Sequence, residues 1–424
     1  MDREQLYYVL FEQQKEFHEK KQLVPREQTE SILSLFRLKL PIIITGVRRA
    51  GKSTLLKILK KELNLRDTQC LYLNFNDERL ISFSSDDFQK VIDFMHELNY
   101  QNHCYLFIDE IQEVEHWEKW VDRIKEKYPL VVTGSNSKLL SKEISTVLTG
   151  RSVNVSLYPF SFREVLAFKN VCFDATSLDL KIQSQVRKEF ATFINTGGIP
   201  KFVVDGDSRI LSELYENILY RDVIKRFKPH LEKPIKEVSL YFLSTVAKRC
   251  SFRNISVATE IKNIATVKSI ADTFEKAFLF FFIPKFDFSL QKQLQNPRKG
   301  YCVDNGFVTQ VGFRFSEDRG RLLENAVFIE LKRTKKEIYY FSGKGECDFV
   351  LRVGSQITDA IQVTWELNEN NREREIGGLL EAMENCKLKK GLILTFDQQE
   401  EIILPHKKIQ VIPVWKWLFL NLNK

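Results

Sequence analysis

Cysteine is scarce and unpaired in this 424-residue chain: there are seven, an odd number, with no C-x-x-C pair among them. That argues against a disulfide framework and against a zinc ribbon. The six histidines do not cluster with the cysteines, so no structural metal is expected. Long apolar stretches are missing too. The longest, 277–284, falls far short of the ~20 residues a membrane span needs. The N-terminus has no basic-then-apolar signal pattern, so a cytoplasmic protein is expected. Excess charge is modest at +8, and the chain is too long for one core. It should divide into about three domains.

Against these absences one stretch stands out. GVRRAGKS at 46–53 fits the phosphate-binding pattern GxxxxGK[ST] at every fixed position. Gly46 and Gly51 let backbone N–H groups of Val47, Arg48, Arg49 and Ala50 close around a β-phosphate. Lys52 reaches the β/γ oxygens, Ser53 offers a hydroxyl to Mg²⁺, and Thr54 continues into a helix whose positive end faces the anion. The context agrees, with a buried strand at 40–44 before the loop and an amphipathic helix at 54–59 after it. ATP and Mg²⁺ are the expected cofactors.

A short apolar run, 104–108, ends in Asp109-Glu110. A central parallel strand delivers carboxylates to the carboxyl edge of a sheet in this way. Asp109 is placed to hold Mg²⁺, and Glu110 to orient or deprotonate the attacking water. A third strand, 129–133, runs into Gly134-Ser135-Asn136-Ser137. Asn136 there is either a γ-phosphate contact or an ordinary polar strand end. A helix from 137 to 148 stops at Thr149-Gly150-Arg151, just before a strand at 152–157.

These segments carry a family resemblance. GVRRAGKST, LFIDEIQ with Trp117, VVTGSN, TGR, YPFSFREVL and TGGIP resemble the AAA-type ATPases of archaea and bacteria that bear a nuclease-like C-terminal domain. Tyr220-Arg221-Asp222, the run 299–306 and the run 345–350 extend the likeness from about residue 20 to the end. The resemblance implies that Arg151 reaches a neighbouring subunit's γ-phosphate. The competing reading is a solvated arginine favoured by the helix dipole. Arg221 is a second candidate γ-phosphate sensor, or half of a structural Arg–Asp pair.

The expected fold class is α/β. A helical segment at 1–36 leads into a parallel-sheet P-loop domain at 37–168 and a helical lid at 169–233. Three helices and a hairpin at 234–308 read as a winged helix domain, with 266–278 as the groove-entering element. That region holds eleven Lys/Arg against six Asp/Glu. Lys262, Lys268, Lys276, Lys285, Lys292, Arg298 and Lys299 are candidate phosphate contacts; a solvated or protein-docking face is the alternative. Residues 309–424 read as a restriction-endonuclease-like domain of the PD-(D/E)xK type. It would have Glu324 on a first helix and Asp348 on a second strand. On the third strand, Gln362-Val363-Thr364 stands where Glu-x-Lys is required, so the site is degenerate.

The sequence therefore points to an ATP-hydrolysing, DNA-binding protein that moves or remodels DNA. The expected partners are duplex or branched DNA and further copies of the chain, a hexameric ring being one arrangement. A nucleotide-dependent switch acting through protein partners is the first alternative, and an ATP-regulated nuclease the second.

Overall fold

The computed structural model describes all residues except 20–22, 102, 135–150, 175–178, 313–317 and 421–424. Asn136 and the expected helix at 137–148 lie outside the described residues. Two compact units divide the chain, 1–157 and 158–424. No helix among the described residues is long and apolar enough to cross a membrane.

The first unit is built on a five-stranded parallel sheet. Its strands are β1 (Ile42–Thr45), β2 (Cys70–Asn74), β3 (Tyr105–Asp109), β4 (Leu130–Gly134) and β5 (Val153–Ser156), in the order β2-β3-β4-β1-β5. β1 and β4 are buried along their whole length. This is why their sequences read as unbroken apolar runs rather than as alternation. Helices α3 (Lys52–Glu62), α4 (Phe88–Glu97) and α5 (Trp117–Ile124) join the strands, and Trp120 stacks on Phe88 with centroids 4.1 Å apart.

The N-terminal segment forms α1 (Arg3–His18) and α2 (Thr29–Leu35), and α1 protects the free edge of β2. Gln14 accepts from the Tyr72 N–H at 2.8 Å and donates to the Tyr72 carbonyl at 2.7 Å. Gln13 repeats the pattern at Asn74, at 2.9 and 3.1 Å. Two side-chain amides thus replace a neighbouring strand at an edge that would otherwise template pairing.

The second unit opens with helices, among them Leu180–Thr196 and Arg209–Ile218. Helices Glu232–Ser244, Phe252–Ala258 and Ile264–Lys276 follow, with a three-stranded antiparallel sheet of order β6-β8-β7. Its strands are β6 (Arg249–Cys250), β7 (Phe280–Ile283) and β8 (Arg298–Cys302). Helix Arg319–Arg333 then precedes a six-stranded mixed sheet of order β13-β14-β12-β11-β10-β9. These are β9 (Glu337–Ser342), β10 (Glu346–Val353), β11 (Gln356–Val363), β12 (Lys390–Thr395), β13 (Glu400–Leu404) and β14 (Lys407–Pro413). Helix Arg372–Asn385 carries the chain from β11 to the parallel β12. The residues after β7 stitch the two sheets together: Phe286 N–H donates to the Tyr340 carbonyl at 2.7 Å, and Tyr340 N–H to that of Pro284 at 3.1 Å.

The TGGIP segment has a local reason to be glycine. Gly197 has φ 72° and ψ −164°, a region that essentially only glycine occupies. A Cβ there would sit 1.8 Å from Asp304 Oδ1. That buried carboxylate accepts from the N–H of Gly198 at 2.7 Å and of Gly306 at 2.8 Å. Gly197→Ala should therefore cost on the order of 3 kcal/mol, from strain and lost hydrogen bonds together. Chemical denaturation of the variant against wild type measures it.

Candidate functional site

The carboxyl ends of β1, β3 and β4 converge on one place. β1 stops at Thr45, and the loop turns directly into α3, whose first residue is Lys52. The loop lies hard against the end of the neighbouring strand: a Cβ on Gly46 would come within 2.1 Å of the Leu157 carbonyl oxygen. Arg26, itself buried, donates to the Ala50 carbonyl at 2.7 Å and braces the loop from outside. Of the other loop residues Val47 and Ala50 are buried, Arg48 is half-buried, and Arg49, Ser53 and Thr54 are exposed. The first turn of α3 presents backbone N–H donors and the positive end of the helix dipole.

Lys52 is buried, and its Nζ donates to the carbonyls of Gly46 at 3.1 Å and Val47 at 3.2 Å. It also lies 3.8 Å from Glu110 Oε1. Glu110 sits at φ 51°, a left-handed conformation uncommon for a residue with a side chain, and accepts from Gln112 Nε2 at 2.5 Å.

Asp109 is the most enclosed member. Its Oδ1 accepts from the Thr133 hydroxyl and its Oδ2 from the Tyr72 hydroxyl at 2.9 Å, and the Ser53 hydroxyl is near enough to favour its charged form. Burial raises its pKa and Glu110 adds to the rise, against the pull of these three hydroxyls. A hydroxyl and a carboxylate meeting at the N-terminus of α3 form a pair of hard oxygen donors, which fits Mg²⁺. Ser53 and Asp109 would hold the ion, which neutralises charge on phosphate oxygens when bound.

Three residues of this site escape motif reading. Thr133 lies on a recognised strand, but its role depends on β4 sitting beside β3. Tyr72 and Arg26 arrive from distant sequence and carry no local signal. Tyr72→Phe removes the donor on Asp109 Oδ2 and should weaken Mg²⁺-dependent nucleotide binding by ~10–100-fold. Titrating Mg²⁺ while a fluorescent ATP analogue binds would read this directly.

Arg151 sits elsewhere. β5 pairs with β1 from Ile42↔Val153 to Thr45↔Ser156, so Arg151 precedes the amino end of β5. That is the edge of the sheet opposite the phosphate loop. The side chain is exposed, 3.5 Å from Asp122. Arg221 lies exposed on a π-helical turn, Leu219–Val223, of the second unit, and the adjacent Asp222 is buried within electrostatic reach of Arg226.

In the second unit Lys262, Lys268, Lys276 and Lys292 are exposed, and Lys285 and Arg298 are half-buried. Lys299 corrects the sequence reading. It is 2 % exposed, and its Nζ lies 2.8 Å from Asp348 Oδ1, 3.1 Å from Glu324 Oε1 and 2.7 Å from Glu346 Oε1. Its ammonium points into these three carboxylates rather than to solvent. It cannot touch a DNA phosphate from there.

Glu324 and Asp348 therefore do come together, around a lysine. Asp348 Oδ2 accepts from the Val363 N–H at 2.9 Å, and the Tyr301 hydroxyl donates to Glu324 at 2.7 Å. Gln362 accepts from the Asp348 N–H at 3.1 Å and donates to Glu375 at 2.5 Å. Thr364 donates to the Glu366 carbonyl. Burial, then Asp348, pushes the Glu324 pKa up to about 8. Burial opposes the charge on Lys299, yet Asp348, Glu324 and Glu346 hold it well above its ordinary pKa.

Residues 39–166 match the family described as an AAA domain, and 187–318 match a domain of unknown function, DUF8612. The chain is 33% identical over 399 residues to the uncharacterized protein MJ1544 of Methanocaldococcus jannaschii, covering 88% of this chain and 87% of that protein. The chain belongs to the MJ1544 family. An uncharacterized protein of Haemophilus influenzae is 32% identical over 393 residues, covering 89% of this chain and 93% of its own length. Among solved structures, the Walker-type ATPase PABY2304 of Pyrococcus abyssi aligns with 69% of this chain and 99% of its own. Its TM-score is 0.45 at 15% identity. The family match over 39–166 and the P-loop geometry agree: this member of the MJ1544 family carries an ATPase domain of the AAA/Walker type.

Proposed function

We propose that the protein is a Mg²⁺-dependent, oligomeric ATP hydrolase that uses nucleotide turnover to grip or move DNA through its second unit. The observation that carries the ATPase half is the convergence of Lys52, Ser53, Asp109 and Glu110 at one sheet edge. Lys52 binds phosphate oxygens, Ser53 and Asp109 hold the cation, and Glu110 orients or deprotonates the attacking water.

The DNA half is supported by Lys262, Lys268 and Lys276, all exposed, on and beside helix Ile264–Lys276. Helices Glu232–Ser244, Phe252–Ala258 and Ile264–Lys276 with strands β6, β7 and β8 follow the element order of a winged helix, a further short helix Leu290–Gln295 lying between β7 and β8, and helix Ile264–Lys276 is the one able to enter a groove. The helix, three strands, helix and strand from 319 to 395 follow the order of a PD-(D/E)xK nuclease. We read that sheet as a nuclease-like domain that binds without cutting.

ATP turnover with single-stranded, duplex and branched DNA tests this reading. Stimulation by DNA is expected, with binding that falls steeply as salt rises. Replacing Lys262, Lys268 and Lys276 together by alanine should flatten the salt slope by about 3. One observation favours the switch that works through protein partners. Phe288, Leu290 and Leu294, between β7 and β8, are 80%, 68% and 67% exposed. Slow turnover indifferent to every nucleic acid would select that reading instead.

A further inference from the structure

The nuclease-like order of the C-terminal sheet implies a divalent metal between Glu324 and Asp348, and the residues present do not fit one. We infer that Lys299 is the resident cation of this carboxylate site, and that with the lysine in place the site takes no divalent metal. Its ammonium lies 2.7–3.1 Å from oxygens of Glu324, Glu346 and Asp348. Mg²⁺ holds its oxygens at ~2.0–2.1 Å, so the carboxylates would have to close in by roughly 1 Å around any metal that replaced it. Among the described residues no group of three or more His, Cys, Asp or Glu side chains is arranged to hold a metal ion.

The remaining acceptors are also engaged. Asp348 gives its second oxygen to the Val363 N–H, Glu324 accepts the Tyr301 hydroxyl, and Gln362 bridges the Asp348 N–H to Glu375. Arg249 lies opposite Lys299 in the β6–β8 pair and reaches Glu346 at 3.2 Å. Two cations on adjacent strands of the small sheet thus clamp the carboxylates of the large one. The lysine comes from outside the nuclease-like segment, so neither half of the cluster predicts it alone. Its role is that of an internal counter-ion tying β8 to β10, in the place where hydrolytic chemistry would need a metal.

The inference rests on the nuclease-like reading only for why a metal is expected there. That reading is tested by DNA binding and cleavage, whereas metal occupancy is measured separately. Tyr301, bonded to Glu324 and stacked on Phe328, is placed to sensitise the luminescence of bound Tb³⁺. Nucleotide-free full-length protein is titrated with Tb³⁺ in four forms: wild type, Asp348→Ala, Lys299→Met and the double variant. Wild type and Asp348→Ala should superimpose. Lys299→Met, which keeps the buried stem and removes the charge, should bind Tb³⁺ at least ~10-fold more tightly, and Asp348→Ala in that background should abolish the gain. A wild-type signal lost in Asp348→Ala overturns the inference, as does a folded Lys299→Met protein with no gain. The wild-type comparison decides the matter even if Lys299→Met fails to fold.

Discussion

Arg151→Ala should lower ATP turnover by ~10³–10⁵-fold, the range an arginine acting in trans contributes in nucleotide hydrolases. Nucleotide affinity should stay nearly intact. The sheet register gives the reason. Arg151 lies before the amino end of β5, whereas the phosphate loop leaves the carboxyl end of the adjacent β1. Four residues of strand separate the two edges, about 10–13 Å of extended chain. An arginine there does not reach its own subunit's γ-phosphate, yet it stands exposed, with a 3.5 Å contact to Asp122 among the described residues. Such a residue either acts on a neighbour or does nothing in catalysis. Mixing the Arg151 variant with a Lys52 variant separates the two. If it acts in trans, mixed oligomers pair an intact loop with an intact arginine and regain some activity. Full turnover by the Arg151 variant alone, or by a monomer, would remove Arg151 from the mechanism.

How much of this was legible in the sequence varies with the range of the contacts. The loop at 46–53 and the strand ending in Asp109-Glu110 are readable because their chemistry depends on local spacing and on an apolar run of strand length. Tyr72 is not, because its hydroxyl matters only once β2 lies beside β3 with Asn74 opposite Asp109. Arg26 likewise reaches Ala50 across a turn and a helix that say nothing of the loop. Lys299 shows a different failure. Charge counting treats every lysine as solvated, but a strand side chain on a covered sheet face meets no water and must find its acceptors in the protein. A lysine leading directly into the strand-like run Gly300-Tyr301-Cys302-Val303 was the available signal that it needed an acid.

Lys52→Ala should abolish tight ATP binding, and the contrast with Glu110→Gln separates holding the nucleotide from cleaving it. Truncating one partner of a buried charge pair costs about 2–5 kcal/mol, or ~30- to 5,000-fold in affinity. Lys52 meets those conditions, being buried at the start of α3 with its ammonium at the loop carbonyls. Glu110 loses this cationic neighbour in the same variant, since the two lie 3.8 Å apart, so its negative charge beside the phosphate loop is less offset. Repulsion of the triphosphate should deepen the loss. Glu110→Gln has the opposite profile. The amide keeps the shape of the side chain and can still accept from Gln112, so the loop geometry survives. It cannot take a proton from water, and turnover should fall by ~10²–10⁴-fold while affinity is retained or improved. Binding measured by a fluorescent ATP analogue and turnover measured by phosphate release give the two quantities independently. Wild-type turnover in Glu110→Gln would show that another group activates the water, and Gln112, bonded to Glu110, would be the next residue to replace.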